Sequence, residues 1–268
     1  MFYTTVAGWM LKYFFDTAKG DFIGATTSQV KDHFTYMNSV PSEMIFWTVV
    51  VIIIGFLVCS LGLQNGVEKI SKGMMIALLV IMAVLAMNSI FLKGASKGLY
   101  FYLVPDFQQI KNIGLINVLV AAMNQAFFTL SIGMGSMTIF GSYLSKDHSL
   151  LGESINIVAL DTFVAIVSGL IIFPSCFAFG VNPDQGPSLI FITLPNIFIK
   201  MPGGRIIGSC FFIFMAFAAF STVIAVFENI MSSCMDLWGW ERKKTALINT
   251  ILIIIGSIPC VLGFNILS

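Results

Sequence analysis

One stretch of the sequence, Asn124–Tyr143, places glycine and hydroxyl residues in the middle of a long apolar run. Ser131, Gly133, Gly135 and Ser136 fall within six positions of it. Glycine in a helix interior costs about 1 kcal/mol relative to alanine, and a broken helix is tolerated at membrane depth only where it is buried in protein or lines a cavity. The segment therefore predicts a discontinuous helix that exposes backbone amides and carbonyls to a ligand. The alternative explanation is close packing of small residues between helices.

Two other places carry oxygen atoms inside apolar runs. Ser221 and Thr222 are adjacent in FMAFAAFSTVIAVFE, and their hydroxyls are hard oxygen donors of the kind that a sodium ion accepts, although such hydroxyls often bond only to the preceding turn. Asp161 is the single charge in Ile155–Gly180. A carboxylate at membrane depth costs about 2.5–3.5 kcal/mol on insertion scales and usually serves ions or protons. A structural polar contact between helices is the alternative.

The elements that position these residues are predicted to be membrane helices. Of the 268 residues, 57% are hydrophobic and only 10% are charged, whereas a soluble domain carries about 25% charged residues. Runs of about 20 apolar residues are long enough to span a bilayer. Together with a shorter run at Phe2–Phe15, interrupted by Lys12, they predict an all-α integral membrane domain, 1–268, with about seven spans. The longer runs are Met44–Leu63, Gly73–Leu92, Ile113–Ser145, Ile155–Gly180, Ile206–Phe227 and Ala246–Ser268.

The links between the runs predict which side of the membrane each one faces. Three short links carry Lys and Arg at higher density than the three long links, 19–42, 93–117 and 182–205. Because the positive-inside rule counts short loops most reliably, we place the short links in the cytoplasm and the long ones outside the cell. The expected location is the plasma membrane, the bacterial inner membrane, with multiple spans in the lipid bilayer.

Charge and motifs exclude two other classes of protein. A net charge of +1 argues against a nucleic-acid partner, which requires a basic face. The sequence holds no P-loop, no zinc motif and no Ser-His-Asp arrangement, and its two histidines, His33 and His148, lie far apart. We therefore expect neither an enzyme nor a transition-metal site.

Four segments of the sequence resemble the neurotransmitter:sodium symporter family, with the bacterial leucine-transporter-like branch as the closest pattern. The segments are YTTVAGWML, QAFFTLSIGMG, FAAFST and FITLPNIFIKMPGG. The resemblance is collinear over essentially the whole chain. It implies a partial inverted-repeat transporter fold with a discontinuous sixth helix, in which this chain begins within the third transmembrane helix and stops within the ninth. In that fold, discontinuous helices meet substrate and ions near the middle of the bilayer, and the leucine transporter is the established example.

The resemblance also implies substrate-binding residues. Tyr3, six residues before Trp9, matches the tyrosine whose hydroxyl holds the substrate carboxylate, and Phe128 matches an aromatic lid above the substrate. Met134 and Val226 match walls of the side-chain pocket. The unwound stretch of the sixth helix is matched by Ser131, Ile132, Gly133, Met134 and Gly135.

Further positions match ion sites and a gate. Thr129 and Asp161 match two ligands of the first sodium ion, although the family usually has asparagine at the second of these positions. Tyr143 and Asp236 match partners in a cytoplasmic gate, whose arginine belongs to the first helix of the family. The second sodium site is matched by Ala218, Ser221 and Thr222.

As a whole, the resemblance implies sodium-coupled symport of an amino acid, with Na⁺ as the co-transported ion and no organic cofactor. The first helix of the family supplies half of both sodium sites, and the chain as given is expected to lack it. The alternative is therefore a truncated membrane protein that does not transport, or a partner subunit that assembles with other helices. Sodium-dependent binding of an amino acid separates these two hypotheses.

Overall fold

The helical class predicted from the sequence is confirmed by the computed structural model, which describes residues 2–62, 67–133, 135–144, 147–180 and 187–264. Every regular element within these ranges is helical. A π-helical turn, Leu189–Thr193, precedes the tenth α-helix. The α-helices are α1 Phe2–Lys19, α2 Thr27–Ser39, α3 Pro41–Ser60, α4 Lys69–Ile90, α5 Ala95–Leu103, α6 Phe107–Ile113, α7 Leu115–Thr129, α8 Ser136–Ser142, α9 Leu150–Ala178, α10 Leu194–Lys200, α11 Gly204–Trp238 and α12 Arg242–Leu262.

Five helices, α3, α4, α9, α11 and α12, are long and apolar enough to cross a membrane. Helices α6 and α7 qualify as one further span only when they are taken together, and they are bent by 97°. The bend lies at Gly114, which has a φ of 92°. These elements, with α1, occupy the seven apolar runs of the sequence. The bend itself was not predicted.

Helix α1 keeps charged residues among apolar neighbours by pairing them. The Nζ atom of Lys12 lies 2.7 Å from Glu43 Oε1 and 3.1 Å from Asp16 Oδ2. The same Asp16 oxygen lies 2.9 Å from Nε2 of His33. An unpaired charge in such surroundings costs several kcal/mol. This network therefore permits a lysine in α1, and it ties the helix to α2 and to the start of α3.

Helix α11 is the central element of the packing, because it contacts α1, α3, α4 and α12. The rings of Phe56 and Phe227 stack with centroids 4.1 Å apart and join α3 to α11. Gly8 lets α1 approach α3, since an added Cβ there would lie 3.0 Å from the backbone of Trp47. Small residues permit such close helix contacts in membranes.

The three long links are largely helical. The first contains α2, which begins with a capping box between Thr26 and Gln29. The second contains α5 and α6, and the third contains the π-helical turn and α10. Phe34 of α2 stacks on Phe191 of the π-helical turn at 5.5 Å, so the first and third links pack together. Their position outside the cell stays a prediction.

Candidate functional site

The predicted break in the helix around residue 131 is present. Helix α7 ends at Thr129 and α8 begins at Ser136. The amide of Ile132 donates to the carbonyl of Phe127 at 3.0 Å, and the amide of Ser131 donates to Phe128 at 3.1 Å. These two bonds form a Schellman motif, whose left-handed position is usually glycine.

Here Ser131 takes the left-handed position of the motif, with a φ of 55°. A residue with a Cβ atom pays a steric penalty for this conformation, and such strain clusters at binding sites. Gly133 and Gly135 follow with φ values of 91° and 78°. The break is thus a built feature of the backbone. Ile132 is half exposed within it, and Met134 lies outside the described residues.

Two predicted sodium ligands meet beside the break. The hydroxyl of Thr129, the last residue of α7, donates to Asp161 Oδ1 at 2.9 Å. Because the threonine uses its proton in this bond, its oxygen lone pairs stay available to a cation. The bond joins α7 to α9 and places three oxygen atoms, one hydroxyl and two carboxylate, close together.

The other predicted sodium ligands lie on a single turn of α11. Ser221 Oγ donates to the carbonyl of Ala218 at 2.8 Å, and Thr222 is the next residue along the helix. All three residues are half-buried. Their geometry alone is that of a hydroxyl bonded back to its own helix, so the sodium assignment stays a prediction.

The predicted substrate residues lie on several helices. Tyr3 belongs to the first turn of α1 and is 39% exposed, and Phe128 is 71% exposed in the last turn of α7. Val226 is half-buried one turn after Thr222. Helices α1 and α11 pack side by side, which puts Tyr3 and Val226 on neighbouring elements. Their substrate contacts stay predictions.

Tyr143, one of the two predicted gate residues, connects α8 to α11. Its phenolic oxygen lies 3.1 Å from Ser232 Oγ and 3.3 Å from Glu228 Oε1. Asp236 lies one helical turn beyond Ser232 and is exposed. The contacts of Tyr143 with α11 are therefore made one and two turns before Asp236, whose gate role stays a prediction.

Sequence reasoning missed the buried ion pair behind Tyr143. Glu228 is fully buried, and its Oε2 accepts a hydrogen bond from Nη2 of Arg242. Arg242 Nε also donates to the carbonyl of Cys59 at 2.7 Å. Glu228 directly follows the charge-free run Ile206–Phe227, and a carboxylate that far inside a helix requires a cation. That was the available signal.

The break also rests directly against α11. A Cβ added to Gly135 would lie 3.1 Å from Nδ2 of Asn229, tighter than ordinary van der Waals contact. Tyr143 holds the other end of α8 against the same helix. Both ends of α8 are thus fixed to α11, while α7 is joined to α9 through Thr129.

Comparison with known proteins gives a consistent family. Residues 17–265 match the family model described as "Sodium:neurotransmitter symporter family". The chain is 32% identical over 267 residues to a Bacillus subtilis (strain 168) protein named as the uncharacterized sodium-dependent transporter YhdH; the match covers 100% of this chain and 58% of that protein. An uncharacterized sodium-dependent transporter of Haemophilus influenzae is 30% identical, with 98% and 58% covered.

A solved structure and a named animal protein extend the comparison. The crystal structure of MhsT in complex with L-phenylalanine matches with a TM-score of 0.87 and 37% identity, over 98% of this chain and 59% of that one. The Drosophila melanogaster sodium-dependent nutrient amino acid transporter 1 is 26% identical over 212 residues, covering 74% of this chain and 33% of that protein. The chain spans less than two thirds of the length of these relatives, all of which are named as transporters rather than enzymes apart from MhsT, whose title gives a bound amino acid. Since the family model covers most of its length, the chain belongs to the sodium:neurotransmitter symporter family.

Proposed function

We propose that this protein takes part in sodium-coupled symport of an amino acid across the bacterial plasma membrane, in which it is embedded with multiple spans. The observation that carries the proposal is the hydrogen bond between Thr129 and Asp161 at the end of a helix broken within the membrane. It holds a hydroxyl and a carboxylate together where the backbone is unwound.

The chemistry of this pair suits a sodium ion. Sodium is a hard cation and takes oxygen ligands, as other hard cations do. Asp161 supplies a full negative charge, which offsets the loss of the ion's hydration shell. Ala218, Ser221 and Thr222 supply a carbonyl and two hydroxyl oxygens for a second ion.

The proposed substrate site is the unwound stretch 131–135 together with Tyr3. The backbone amides of the stretch and the Tyr3 hydroxyl are donors for the substrate carboxylate. Ile132 and Val226 are apolar walls, and they favour an amino acid with an apolar side chain. That MhsT was crystallised with L-phenylalanine supports an apolar amino acid here by similarity.

The proposal is tested by uptake into proteoliposomes made with the full-length protein. Radiolabelled L-phenylalanine and L-leucine should accumulate under an inward Na⁺ gradient and not under an equal K⁺ gradient. Absence of both sodium-dependent uptake and sodium-dependent binding for all twenty amino acids would contradict the proposal and favour the non-transporting alternative.

The role of the Thr129–Asp161 pair is tested by Thr129→Val, which keeps the side-chain shape and removes the hydroxyl. We expect the sodium concentration for half-maximal uptake to rise about tenfold, because a lost charge-assisted contact costs at least about 1.4 kcal/mol. Thr138→Val makes the same change at an exposed position of α8 and should leave the sodium dependence unchanged.

A further inference from the structure

A cavity of about 240 Å³ lies far from the proposed transport site, where the end of α1 meets α10 and the start of α11. Thr17 lines it and is fourteen residues from Tyr3 on the same helix. At 1.5 Å per residue, that separation is about 21 Å along the axis. Both links that contribute walls, 19–42 and 182–205, are predicted to lie outside the cell. The cavity is therefore a separate site on the predicted outer side.

Most of the cavity wall is apolar. Phe22, Ile23, Phe198, Ile199 and Met201 contribute side chains to it. Glycine backbone forms much of the remainder, and a Cβ added to Gly24 or Gly203 would meet nothing within 4 Å. An apolar cavity of 150 Å³ admits benzene, so this volume suits a body of roughly ten non-hydrogen atoms.

One polar group inside the wall has no partner. Thr17 is 5% exposed, and its Oγ1 makes no hydrogen bond within the part of the chain that the structure describes. A buried hydroxyl without a partner costs about 1–3 kcal/mol. A ligand with a hydrogen-bonding group would remove that cost.

The charge at the mouth of the cavity is positive. Arg205 lines the cavity and uses Nε and Nη2 to bond the carbonyl of Ala18 at the end of α1, which leaves the N–H donors of Nη1. Lys200 lies between two lining residues. Neither cation has an acidic partner within 4 Å among the described residues, whereas the nearby Asp21 is paired with Lys19 at 3.8 Å.

We propose that this cavity binds a small carboxylate with an aromatic or branched aliphatic body. The apolar walls hold the body, the hydroxyl of Thr17 bonds the ligand, and the guanidinium of Arg205 faces the carboxylate. The volume excludes long acyl chains from full burial, and the positive mouth disfavours amines. The site neither depends on sodium nor shares a lining residue with the proposed transport site.

Phenylacetate, with ten non-hydrogen atoms, is the probe. Its binding to the full-length protein in nanodiscs is measured by ligand-observed NMR in sodium-free potassium buffer, so that the proposed sodium-coupled site is unloaded. We expect saturable binding with a Kd on the order of 1 mM, typical of so small a ligand. Because no sodium is present, this result and the uptake result fail independently. Absence of saturable binding would overturn the proposal.

Two variants locate the ligand. Ile199→Trp fills the cavity and should weaken binding at least tenfold. Ile206→Trp makes the same change at a residue that is 71% exposed and does not line the cavity, and it should bind like wild type. Equal binding by both variants would place the probe elsewhere and overturn the proposal.

Two more comparisons test the polar contacts. Thr17→Val keeps the shape of the side chain and should weaken phenylacetate binding about fivefold, in line with one hydrogen bond. Phenylacetamide, which lacks the charge, should bind about fivefold more weakly than phenylacetate to the wild type, as an exposed ion pair allows. An unchanged Kd in the first comparison overturns the role of Thr17, and in the second it overturns the choice of an anion.

Discussion

Tyr143 and Glu228, 85 positions apart in the sequence, lie 3.3 Å from each other, phenolic oxygen to carboxylate oxygen. The other oxygen of Glu228 bonds to Arg242, so a single buried carboxylate connects α8, α11 and α12. Buried charges of this kind are costly to leave unpaired. The position of α8, the half-helix beyond the break, is therefore set by an ion pair on α11 and α12.

The first prediction concerns the attachment of α8. Tyr143→Phe removes only the phenolic oxygen, and a hydrogen bond to a charged group contributes about 1.5–3 kcal/mol. We expect the backbone amides of α8 to exchange with deuterium about tenfold faster, measured by hydrogen-exchange mass spectrometry in detergent. Tyr36→Phe, at a tyrosine that is 63% exposed on α2, is the control and should leave α8 unchanged. Equal exchange of α8 in wild type and Tyr143→Phe would show that this contact does not hold the helix.

The second prediction concerns the proposed second sodium site. The double variant Ser221→Ala, Thr222→Ala removes two oxygen ligands. We expect the sodium concentration for half-maximal uptake to rise at least tenfold, since each lost ligand to a cation is worth more than a neutral hydrogen bond.

The control for this double variant lies on the same helix. Ser209 and Ser233 also bond back to their own helix, at 2.7 Å and 2.9 Å, but neither matches a sodium position. Changing both to alanine removes two similar hydroxyls and should leave the sodium dependence unaltered. If the two double variants shift it equally, the hydroxyls of Ser221 and Thr222 serve only the helix.

Features that depend on neighbouring residues were predictable from the sequence. The seven helical runs follow from apolar length, and the break at Ser131 follows from glycine and serine clustered at membrane depth. The bend at Gly114 was missed, because a lone glycine in a long apolar run does not distinguish a straight helix from a bent one. The pairing of Glu228 with Arg242 was also missed, since it depends on how two helices meet after the turn between them.

The third prediction concerns the buried lysine of α1. Lys12 contacts both Asp16 and Glu43 and its side chain is 9% exposed. Lys12→Met keeps the length of the side chain and leaves two acidic groups without their cation, so the free energy of unfolding should fall by about 3 kcal/mol. The measurement is thermal or denaturant unfolding of the purified protein in detergent.

Lys19 provides the matched control for Lys12. Its side chain is 78% exposed and lies 3.8 Å from Asp21, so Lys19→Met should change stability by no more than about 0.5 kcal/mol. A Lys12→Met variant as stable as Lys19→Met would mean that the network on α1 contributes nothing to stability.

The last prediction concerns chloride and starts from the charge of Asp161. In chloride-dependent members that the resemblance brings into comparison, the anion lies beside the first sodium ion, near a serine four residues after the asparagine. This chain has Ala165 there, which offers no hydroxyl, and Asp161 in place of the asparagine. Two opposite charges about 4 Å apart interact by roughly 4 kcal/mol at an effective dielectric of 20. A carboxylate at this position can balance the charge of the sodium ions, and it repels chloride.

We therefore expect uptake by the full-length protein to be unchanged when chloride is replaced by gluconate. Asp161→Asn keeps an oxygen that accepts the Thr129 hydrogen bond and removes only the charge, so it should abolish uptake or make it depend on chloride. Asp106→Asn is the control, because this exposed residue caps α6 by accepting from two backbone amides, a role that asparagine also performs. Uptake is measured in both media for all three proteins. Wild-type uptake that stops without chloride contradicts the prediction. So does an Asp161→Asn variant that matches wild type in both media, since its carboxyl would then only bond α7.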